Sequence, residues 1–397
     1  MNGSGSKSYH NSVLLQQVLD NLGIYTSSIH TVDDDIGKGR IYVDMTLGGG
    51  GVSLKIIENL RASSLGSGSL GSRSTEPESL STNGLKYDTL ISIDVDNDAC
   101  LNFKKLLSKH FKDIKYTDSY IAVGNVKVYI VNSNFRDIKS ILLNTNINGD
   151  GYRSDDSIPK VNGIVYDLGL SSFQIDNEDK GFSYIGNSDL DMRMDKNLKV
   201  KASDLLNGLY EDELYSIFTK YGEEPFSRII AKNIIKKRKE KEIVKSDELV
   251  RIISASVRLP VARDPKNQDS RDRDPRNKAY LYHHVSRIFQ ALRIAVNDEL
   301  GALFDSLHQV PEILEHGGRV EIISFHSLED RIVKNFFKGS GSLGSGSLGS
   351  ESRPKEFISL YKKPITPGIA EIKENNRARS AKLRVYEYIG PNKSTDI

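Results

Sequence analysis

Four consecutive glycines, Gly48 to Gly51, follow a short β-rich run, Arg40–Asp44. Glycine has no Cβ atom, so a glycine run after a strand lets the backbone approach a ligand closely. In open α/β sheets such a loop joins the first strand to the first helix at the ligand-binding edge. The run contains neither Gly-x-Gly-x-x-Gly nor the Gly-Lys-Ser/Thr of a P-loop. By itself it fits a dinucleotide, a phosphate, S-adenosylmethionine or a flexible turn.

Short β-rich runs alternate with helical periodicity along most of the chain. This alternation predicts an α/β fold with a mostly parallel, doubly wound sheet. The predicted strands are Arg40–Asp44, Thr89–Asp94, Lys127–Asn132, Gly163–Asp167, Arg319–Ser324 and Leu383–Ile389. The predicted helices between them are Leu54–Leu60, Ala99–His110, Ile138–Leu143 and Leu300–Leu314.

From Ala202 to Arg258 the pattern changes to helices without strands. The helices predicted there are Leu214–Phe218, Ser227–Lys239 and Ser246–Ser256. We therefore predict a Rossmann-like domain formed by residues 9–175 and 284–390. A helical, substrate-binding subdomain is inserted in it at residues 176–283.

Two Gly/Ser-rich tracts, at residues 63–74 and 339–352, repeat the unit Ser-Leu-Gly-Ser. We interpret both as linkers, because such tracts cannot bury a core. A third stretch, Arg263–Lys278, mixes charged residues with proline and asparagine and has no apolar periodicity. It is predicted to be a solvated loop.

The composition restricts the classes of function. Lys+Arg 55 nearly balances Asp+Glu 53, so any affinity for nucleic acid must come from local basic clusters. The single cysteine, Cys100, excludes a disulfide framework and a thiolate metal site. No metal site is predicted, because the pair His283-His284 lacks convergent acidic or cysteine partners. No apolar run approaches the roughly 18 residues of a membrane span, so no membrane association is expected.

Chemically distinctive side chains follow the next three predicted strands. Asp94 is placed to accept hydrogen bonds from both ribose hydroxyls of a nucleoside. The alternative role at this strand end is a helix N-cap, which Asp96 or Asn97 could provide. Phe135 could cover an adenine face, but in isolation core packing explains it better. Asp167 ends the fourth strand, where ligands bind in open sheets. Acids, glycines and an aromatic residue at four successive strand ends are hard to explain as packing.

With these residues in place, the chain resembles the ribosomal RNA small-subunit methyltransferase H family, the bacterial-type 16S rRNA cytosine-N4 methyltransferases and their mitochondrial relatives. The resemblance covers almost the whole chain outside the linkers. It is carried by the blocks His10–Leu15, Asp167–Gln174, Asp189–Asp195, Phe289–Leu300, Ser324–Arg331 and Arg379–Arg384.

The resemblance implies a class I methyltransferase fold with a helical insertion, S-adenosylmethionine as cofactor, and a cytidine N4 amine in small-subunit rRNA as methyl acceptor. The cofactor contacts that it implies are Gly50, Gly51, Val52, Asp94, Phe135, Asp167 and Gln174. Val52 stands where the family usually has histidine, so only a backbone contact would survive there. Asn11-Ser12 also replaces the family's usual proline before Val13.

Two residues are the candidates for chemistry. The amine of cytosine is a poor nucleophile, so the enzyme must mainly position and polarise it. Asp167 is the first candidate to accept a hydrogen bond from the amine, although the cofactor competes for the same carboxylate. His326 could carry away the released proton. Its alternative role is a structural hydrogen bond to the residues that follow it.

The RNA contacts are expected in two basic clusters. One lies in the insertion and the other near the C-terminus: Lys236, Lys237, Arg238, Arg377, Arg379 and Lys382. The expected partner is small-subunit rRNA or a pre-assembled small subunit. The compartment is the cytoplasm for a bacterial chain, or a mitochondrion or plastid for a eukaryotic one, which the long insertions favour.

Two other functions fit parts of the sequence. A ribosome-assembly factor that binds RNA without methylating it is suggested by Val52 alone. A nicotinamide-dependent dehydrogenase could use the same sheet, although the absence of Gly-x-Gly-x-x-Gly argues against it.

Overall fold

The computed structural model describes residues 12–24, 39–65, 87–145, 147, 158–171, 174–175, 180–258, 275–339 and 356–391. The chain divides into two compact units. The first comprises Met1–Gly169 and Ala302–Ile397, and the second comprises Leu170–Gly301.

The first unit is built on a nine-stranded sheet. The strands are β1 (Ile41–Asp44), β2 (Asp88–Asp94), β3 (Ile114–Tyr116), β4 (Ile121–Val123), β5 (Val126–Asn132), β6 (Val161–Asp167), β7 (Leu314–Ser324), β8 (Phe357–Ser359) and β9 (Lys382–Tyr388). Their spatial order is β3-β4-β5-β2-β1-β6-β7-β9-β8.

The central strands β5-β2-β1-β6-β7 are parallel, and the strands outside them pair antiparallel. Following the chain from β1, the strands β2 and β5 are added on one side of β1, and β6 and β7 are then added on the other side. The topological switch point therefore lies between β1 and β6, where ligands bind at the carboxyl ends of the strands. The predicted doubly wound sheet is confirmed.

The helices are α1 (Leu15–Asn21), α2 (Gly51–Leu65), α3 (Asn97–His110), α4 (Ile138–Asn144), α5 (Ala202–Gly208), α6 (Glu211–Gly222), α7 (Ser227–Arg238), α8 (Ser246–Ser256), α9 (Pro275–Asn297), α10 (Glu299–Ile313), α11 (Ser327–Phe337) and α12 (Ile369–Glu374). The first unit has two apolar layers. Because side chains alternate between the two faces of a sheet, successive residues of β2 belong to different layers. Leu90 belongs to the same apolar cluster as Phe103 of α3, whereas Ile91 belongs to the cluster that contains Leu142 of α4 and Leu307 of α10.

Every predicted strand is present to within five residues at each end. The sequence did not indicate β3, β4 and β8, which have three residues each. Three residues are too few to show a period of two, and Ile114–Tyr116 lies mostly exposed at the sheet edge. The helices α1, α5, α9, α11 and α12 were also not predicted.

The first residues of the predicted linker at 63–74 are helical. Helix α2 continues to Leu65, and the Ser63 hydroxyl donates to Leu60 O at 3.0 Å and accepts from Arg40 Nη2 at 2.9 Å. Ser63 is therefore part of the packed helix, because its hydroxyl forms hydrogen bonds with protein groups instead of water. The remaining parts of the two predicted linkers, residues 66–74 and 340–352, lie outside the described residues.

The second unit is helical and has its own apolar core, formed by residues such as Leu206, Phe218, Ile234, Ile253 and Phe289. The predicted insertion, residues 176–283, falls within this unit, whose bounds are wider at both ends. One reason is that residue 283 lies inside the continuous helix α9.

The irregular stretch predicted at 263–278 is corrected at its end. Residues 259–274 lie outside the described part of the chain, but α9 begins at Pro275. Proline is favoured at the first position of a helix, where its missing N–H costs no hydrogen bond.

Candidate active site

The glycine loop is held at the carboxyl edge of the sheet by its own backbone. Leu47 N–H donates to Ile93 O at 2.8 Å, and Gly50 N–H donates to Leu47 O at 2.7 Å. Gly50 has φ +81°, and a Cβ atom there would lie 2.4 Å from Cδ2 of Phe103. Both the left-handed conformation and the buried ring therefore require glycine at this position.

Asp44, at the end of β1, is a buried carboxylate below this loop. It accepts from Thr46 N–H at 3.1 Å and from the Ser53 hydroxyl at 2.6 Å. Burial raises the pKa of Asp44 to about 6. The sequence analysis did not select Asp44, although an acid ending a strand before a glycine run was the available signal.

Asp94, at the end of β2, fastens the glycine loop to the second strand. Its Oδ2 accepts from Gly48 N–H at 2.7 Å and its Oδ1 accepts from Asp96 N–H at 2.8 Å. Burial raises the pKa of Asp94 to about 7. Asp96 instead caps α3, with Oδ1 accepting from Asp98 N–H at 3.1 Å. The capping role considered at this strand end therefore falls on Asp96.

Asn132 and Phe135 follow β5 beside Asp94. The Asn132 amide donates to Asp94 O at 2.9 Å and to Val95 O at 3.0 Å, which joins the ends of the two strands. The half-buried ring of Phe135 lies edge-on to Tyr166, with ring centroids 5.8 Å apart. Phe135 thus packs against the core at this edge of the sheet.

Asp167, at the end of β6, has an unusual environment. Its N–H donates to Thr46 Oγ1 at 2.6 Å, which places it beside the start of the glycine loop. Its Oδ1 is buried and has no hydrogen-bond partner among the described residues. Burial raises the pKa of Asp167 to about 7, and the charges of Asp44 and Glu329 act in the same direction. A buried carboxylate oxygen without a partner is costly, which suggests that a ligand completes the site.

His326 forms the N-cap of α11. Its Nδ1 accepts from Glu329 N–H at 3.3 Å, while Glu329 Oε2 accepts from the N–H groups of Phe325 at 2.8 Å and His326 at 3.2 Å. The His326 Nε2 atom lies 3.2 Å from Glu329 Oε1 but lacks hydrogen-bond geometry. The structural role considered for His326 is therefore present in the structure, and Glu329 was missed.

Two further predicted cofactor residues are Val52 and Gln174. The Val52 side chain is buried in the core beneath α2, so a contact from Val52 to a ligand would have to come from the backbone. Gln174 belongs to the second unit, where its Oε1 accepts from Ser171 N–H at 3.1 Å and Ser171 Oγ at 3.3 Å. The first unit itself brings together the glycine loop, Asp94, Phe135 and Asp167.

The predicted RNA-binding residues of the insertion differ in their surroundings. Lys236 and Lys237 are exposed at the end of α7, and Lys237 lies 3.0 Å from Glu240. Arg238 has a structural role, since its Nη1 donates to Leu206 O at 2.9 Å and to Leu209 O at 2.6 Å. These two bonds use the donors of one guanidinium nitrogen and hold the side chain against the helix end.

The C-terminal basic residues differ in the same way. Arg377 and Arg379 are exposed in a short 3₁₀ helix, Asn376–Ser380. Lys382 is half-buried, and its Nζ lies 3.4 Å from Asp330 Oδ2, so this lysine is already paired.

Among the described residues, no group of three His, Cys, Asp or Glu side chains is placed to hold a metal ion. The pair His283-His284 does have an acidic partner, contrary to the prediction. His284 Nδ1 lies 2.8 Å from the buried Glu224 Oε1, because helix packing brings together residues that are distant in sequence. No described helix is long and apolar enough to cross a membrane.

A sheet of this order, with a glycine loop after the first strand and acids after the next, has the architecture of a class I S-adenosylmethionine-dependent methyltransferase. The MraW methylase family matches residues 78–389. The curated ribosomal RNA small subunit methyltransferase H of Dictyoglomus thermophilum is 34% identical over 382 residues, covering 96% of this chain and 97% of that protein. The chain belongs to the MraW methylase family, and its cofactor is S-adenosylmethionine. The dehydrogenase alternative is therefore wrong.

Two solved structures also align with the chain. An rRNA methylase from Streptococcus thermophilus has a TM-score of 0.30 and 8% identity, with 89% of each chain covered. A Streptococcus mutans protein in complex with SAH has a TM-score of 0.32 and 11% identity, with 89% of this chain and 90% of that chain covered.

Proposed function

We propose that this methyltransferase transfers a methyl group to the N4 amine of a cytidine in small-subunit ribosomal RNA. The observation that carries the proposal is the buried, unpartnered Oδ1 of Asp167 beside the glycine loop. The name of the Dictyoglomus relative supports the choice of RNA. The resemblance of the sequence to cytosine-N4 methyltransferases supports the choice of atom.

The residues of the first unit fit the cofactor chemically. S-adenosylmethionine supplies a methyl group activated by a sulfonium cation. Backbone groups of Gly50, Gly51 and Val52 would hold its amino-acid end, Asp94 its ribose, and Phe135 its adenine ring. Gln174 of the second unit is retained as a further candidate. Asp44 and Asp167 add buried carboxylates, which favour a cation over a neutral ligand.

Asp167 would act on the amine as a hydrogen-bond acceptor. A hydrogen bond from the amine to a carboxylate draws its lone pair out of conjugation with the ring and orients it for attack. The carboxylate must be ionised for this role, and the raised pKa of about 7 keeps part of the population protonated near neutral pH. A nearby cation would shift that balance toward the ionised form.

His326 would receive the proton that the amine loses after the N–C bond forms and the S–C bond breaks. Its Nδ1 accepts a hydrogen bond in the helix cap, so the neutral ring carries its hydrogen on Nε2 and its only lone pair on Nδ1. Nδ1 would therefore have to leave the cap to take the proton. Glu329 Oε1 lies 3.2 Å from Nε2 and would stabilise the imidazolium that forms.

The RNA is proposed to contact exposed cations in both units. In α7, Lys232 and Lys236 lie four residues apart on one face, and neither has an ion-pair partner in the part of the chain that the structure describes. Together with Lys237, Arg377 and Arg379 they are the proposed phosphate contacts. The target cytidine has to leave its stack, since a duplex would shield the amine from the site.

Labelled methyl incorporation tests the proposal. Small ribosomal subunits from a strain lacking this gene would be incubated with the protein and labelled S-adenosylmethionine, and the rRNA nucleosides identified by mass spectrometry. We expect N4-methylcytidine with the wild-type protein and much slower formation of it with Asp167→Asn. Label at another atom would contradict the proposed acceptor. Retained RNA binding without incorporation would favour a non-catalytic assembly factor.

A further inference from the structure

The segment before α1 lies directly on the glycine loop. A Cβ atom at Gly51 would be 2.4 Å from Ser12 Oγ, so the serine hydroxyl contacts the backbone where α2 begins. Val13 and Leu14 are buried, and they belong to the same apolar cluster as Leu47 and Val52 on either side of the glycines. This segment therefore supports the loop from one side.

The backbone of Leu14 is held by a residue from the other end of the chain. Leu14 precedes α1 in a left-handed conformation, with φ 54°. Its N–H lies outside the helix and donates to Glu371 Oε1 at 2.7 Å. Leu14 is 1% exposed, so solvent cannot easily replace this acceptor.

We propose that Glu371 is a positioning residue for cofactor binding. By holding Leu14 N–H, it fixes the Ser12–Leu14 segment against Gly51 and keeps the loop in its binding conformation. Without the carboxylate, the buried N–H group of Leu14 would lack a partner, and the segment would move to reach water. The glycines would then lose one of the contacts that restrain them, the one with Ser12. The inference rests on the glycine loop being the cofactor site.

Glu374 provides a matched control on the same helix. It is an exposed glutamate of α12, three residues after Glu371, and the two share helix and charge. Removing Glu374 tests the effect of losing one negative charge from this short helix. Removing Glu371 adds the loss of the contact with Leu14.

The test is calorimetric titration with S-adenosylhomocysteine of the wild-type chain, Glu371→Ala, Glu371→Gln and Glu374→Ala, with amide hydrogen exchange at Leu14. We expect Glu371→Ala to weaken binding about tenfold, the scale of losing one hydrogen bond to a charged group. Its Leu14 amide should exchange faster. Glu371→Gln retains an acceptor oxygen and should restore most of the affinity, while Glu374→Ala should match the wild type.

Two results would overturn the role of Glu371. One is faster exchange at Leu14 with unchanged affinity, which would make the contact purely structural. The other is an equal loss of affinity in Glu371→Ala and Glu374→Ala. If Glu371→Ala fails to fold, Glu371→Asp, which withdraws the carboxylate by one methylene, replaces it in the comparison. Asp94→Ala, titrated in parallel, distinguishes failure of the role of Glu371 from failure of the proposed cofactor site. Normal affinity in Asp94→Ala would contradict the cofactor site itself.

Discussion

Gly48 donates its backbone N–H to Oδ2 of Asp94 across 2.7 Å. The glycine loop after the first strand and the acid after the second are therefore one structural unit. Each oxygen of Asp94 accepts one backbone N–H and retains a lone pair, so the carboxylate can shape the loop and still accept a ribose hydroxyl.

Asp94→Ala should weaken S-adenosylmethionine binding by roughly 1.5–3 kcal/mol, the range for a hydrogen bond to a charged group. The loss combines the ribose contact with a looser loop. Isothermal titration measures it. Asp113→Ala is the control, because Asp113 is an exposed acid of the same unit that pairs with Arg61. Unchanged affinity in Asp94→Ala would remove this residue from the site.

Asp167→Asn should reduce single-turnover methyl transfer by about 10²–10³, the usual effect of losing one preorganised electrostatic contact. The substitution keeps the shape and an acceptor oxygen but removes the charge. RNA affinity should be retained, because Asp167 is not among the proposed phosphate contacts. A parallel fall in cofactor affinity would make Asp167 a cofactor ligand only, and a wild-type rate would refute its role in catalysis.

The raised pKa of Asp167 predicts an unusual dependence of stability on pH. The folded chain holds this proton up to about pH 7, whereas an unfolded chain releases it near the ordinary aspartate pKa of 3.8. The contribution of Asp167 to the free energy of unfolding is therefore greatest below the unfolded pKa and is lost as the pH rises to about 7.

Asp167→Asn, which cannot ionise, should gain stability relative to the wild type as the pH rises through this window. Thermal unfolding of both cofactor-free proteins at several pH values measures the difference. A difference in melting temperature that stays constant with pH would show that the carboxyl titrates normally.

His326→Asn and His326→Ala should separate a chemical role from a structural one. Asparagine is a good helix N-cap, so His326→Asn should nearly keep the wild-type melting temperature, while His326→Ala should lose about 0.5–2 kcal/mol of stability. If His326 carries the proton, both variants methylate slowly. A stable His326→Asn variant with full activity would leave only the capping role.

Lys236→Ala should affect RNA binding, whereas Arg238→Ala should affect stability, although the two residues are only two positions apart. Removing Lys236 should weaken RNA binding and lower its salt dependence by about one unit of slope, with little change in melting temperature. Removing Arg238 should destabilise the helical unit, because the carbonyls of Leu206 and Leu209 lose their donor. Filter binding at several salt concentrations and calorimetry measure the two effects. Equal losses of RNA affinity with unchanged melting temperatures would restore Arg238 to the proposed phosphate contacts.

The sequence alone determined the parallel strands, most helices of the first unit and the chemical residues at the strand ends. These features depend on neighbours within a few positions. Apolar runs define the strands, and the glycines together with Asp94 and Asp167 follow those runs directly. Because parallel strands end at one edge of the sheet, the order of the motifs was enough to predict that these residues meet.

Only the tertiary structure decided how each side chain is used. The sequence cannot show that Phe103 excludes a Cβ atom at Gly50, that Arg238 turns to helix-end carbonyls, or that Leu14 meets Glu371. Leu14 and Glu371 are 357 positions apart, and no local periodicity relates residues at that distance. Their meeting depends on the packing of both chain ends against one apolar layer, which exists only once the sheet has formed.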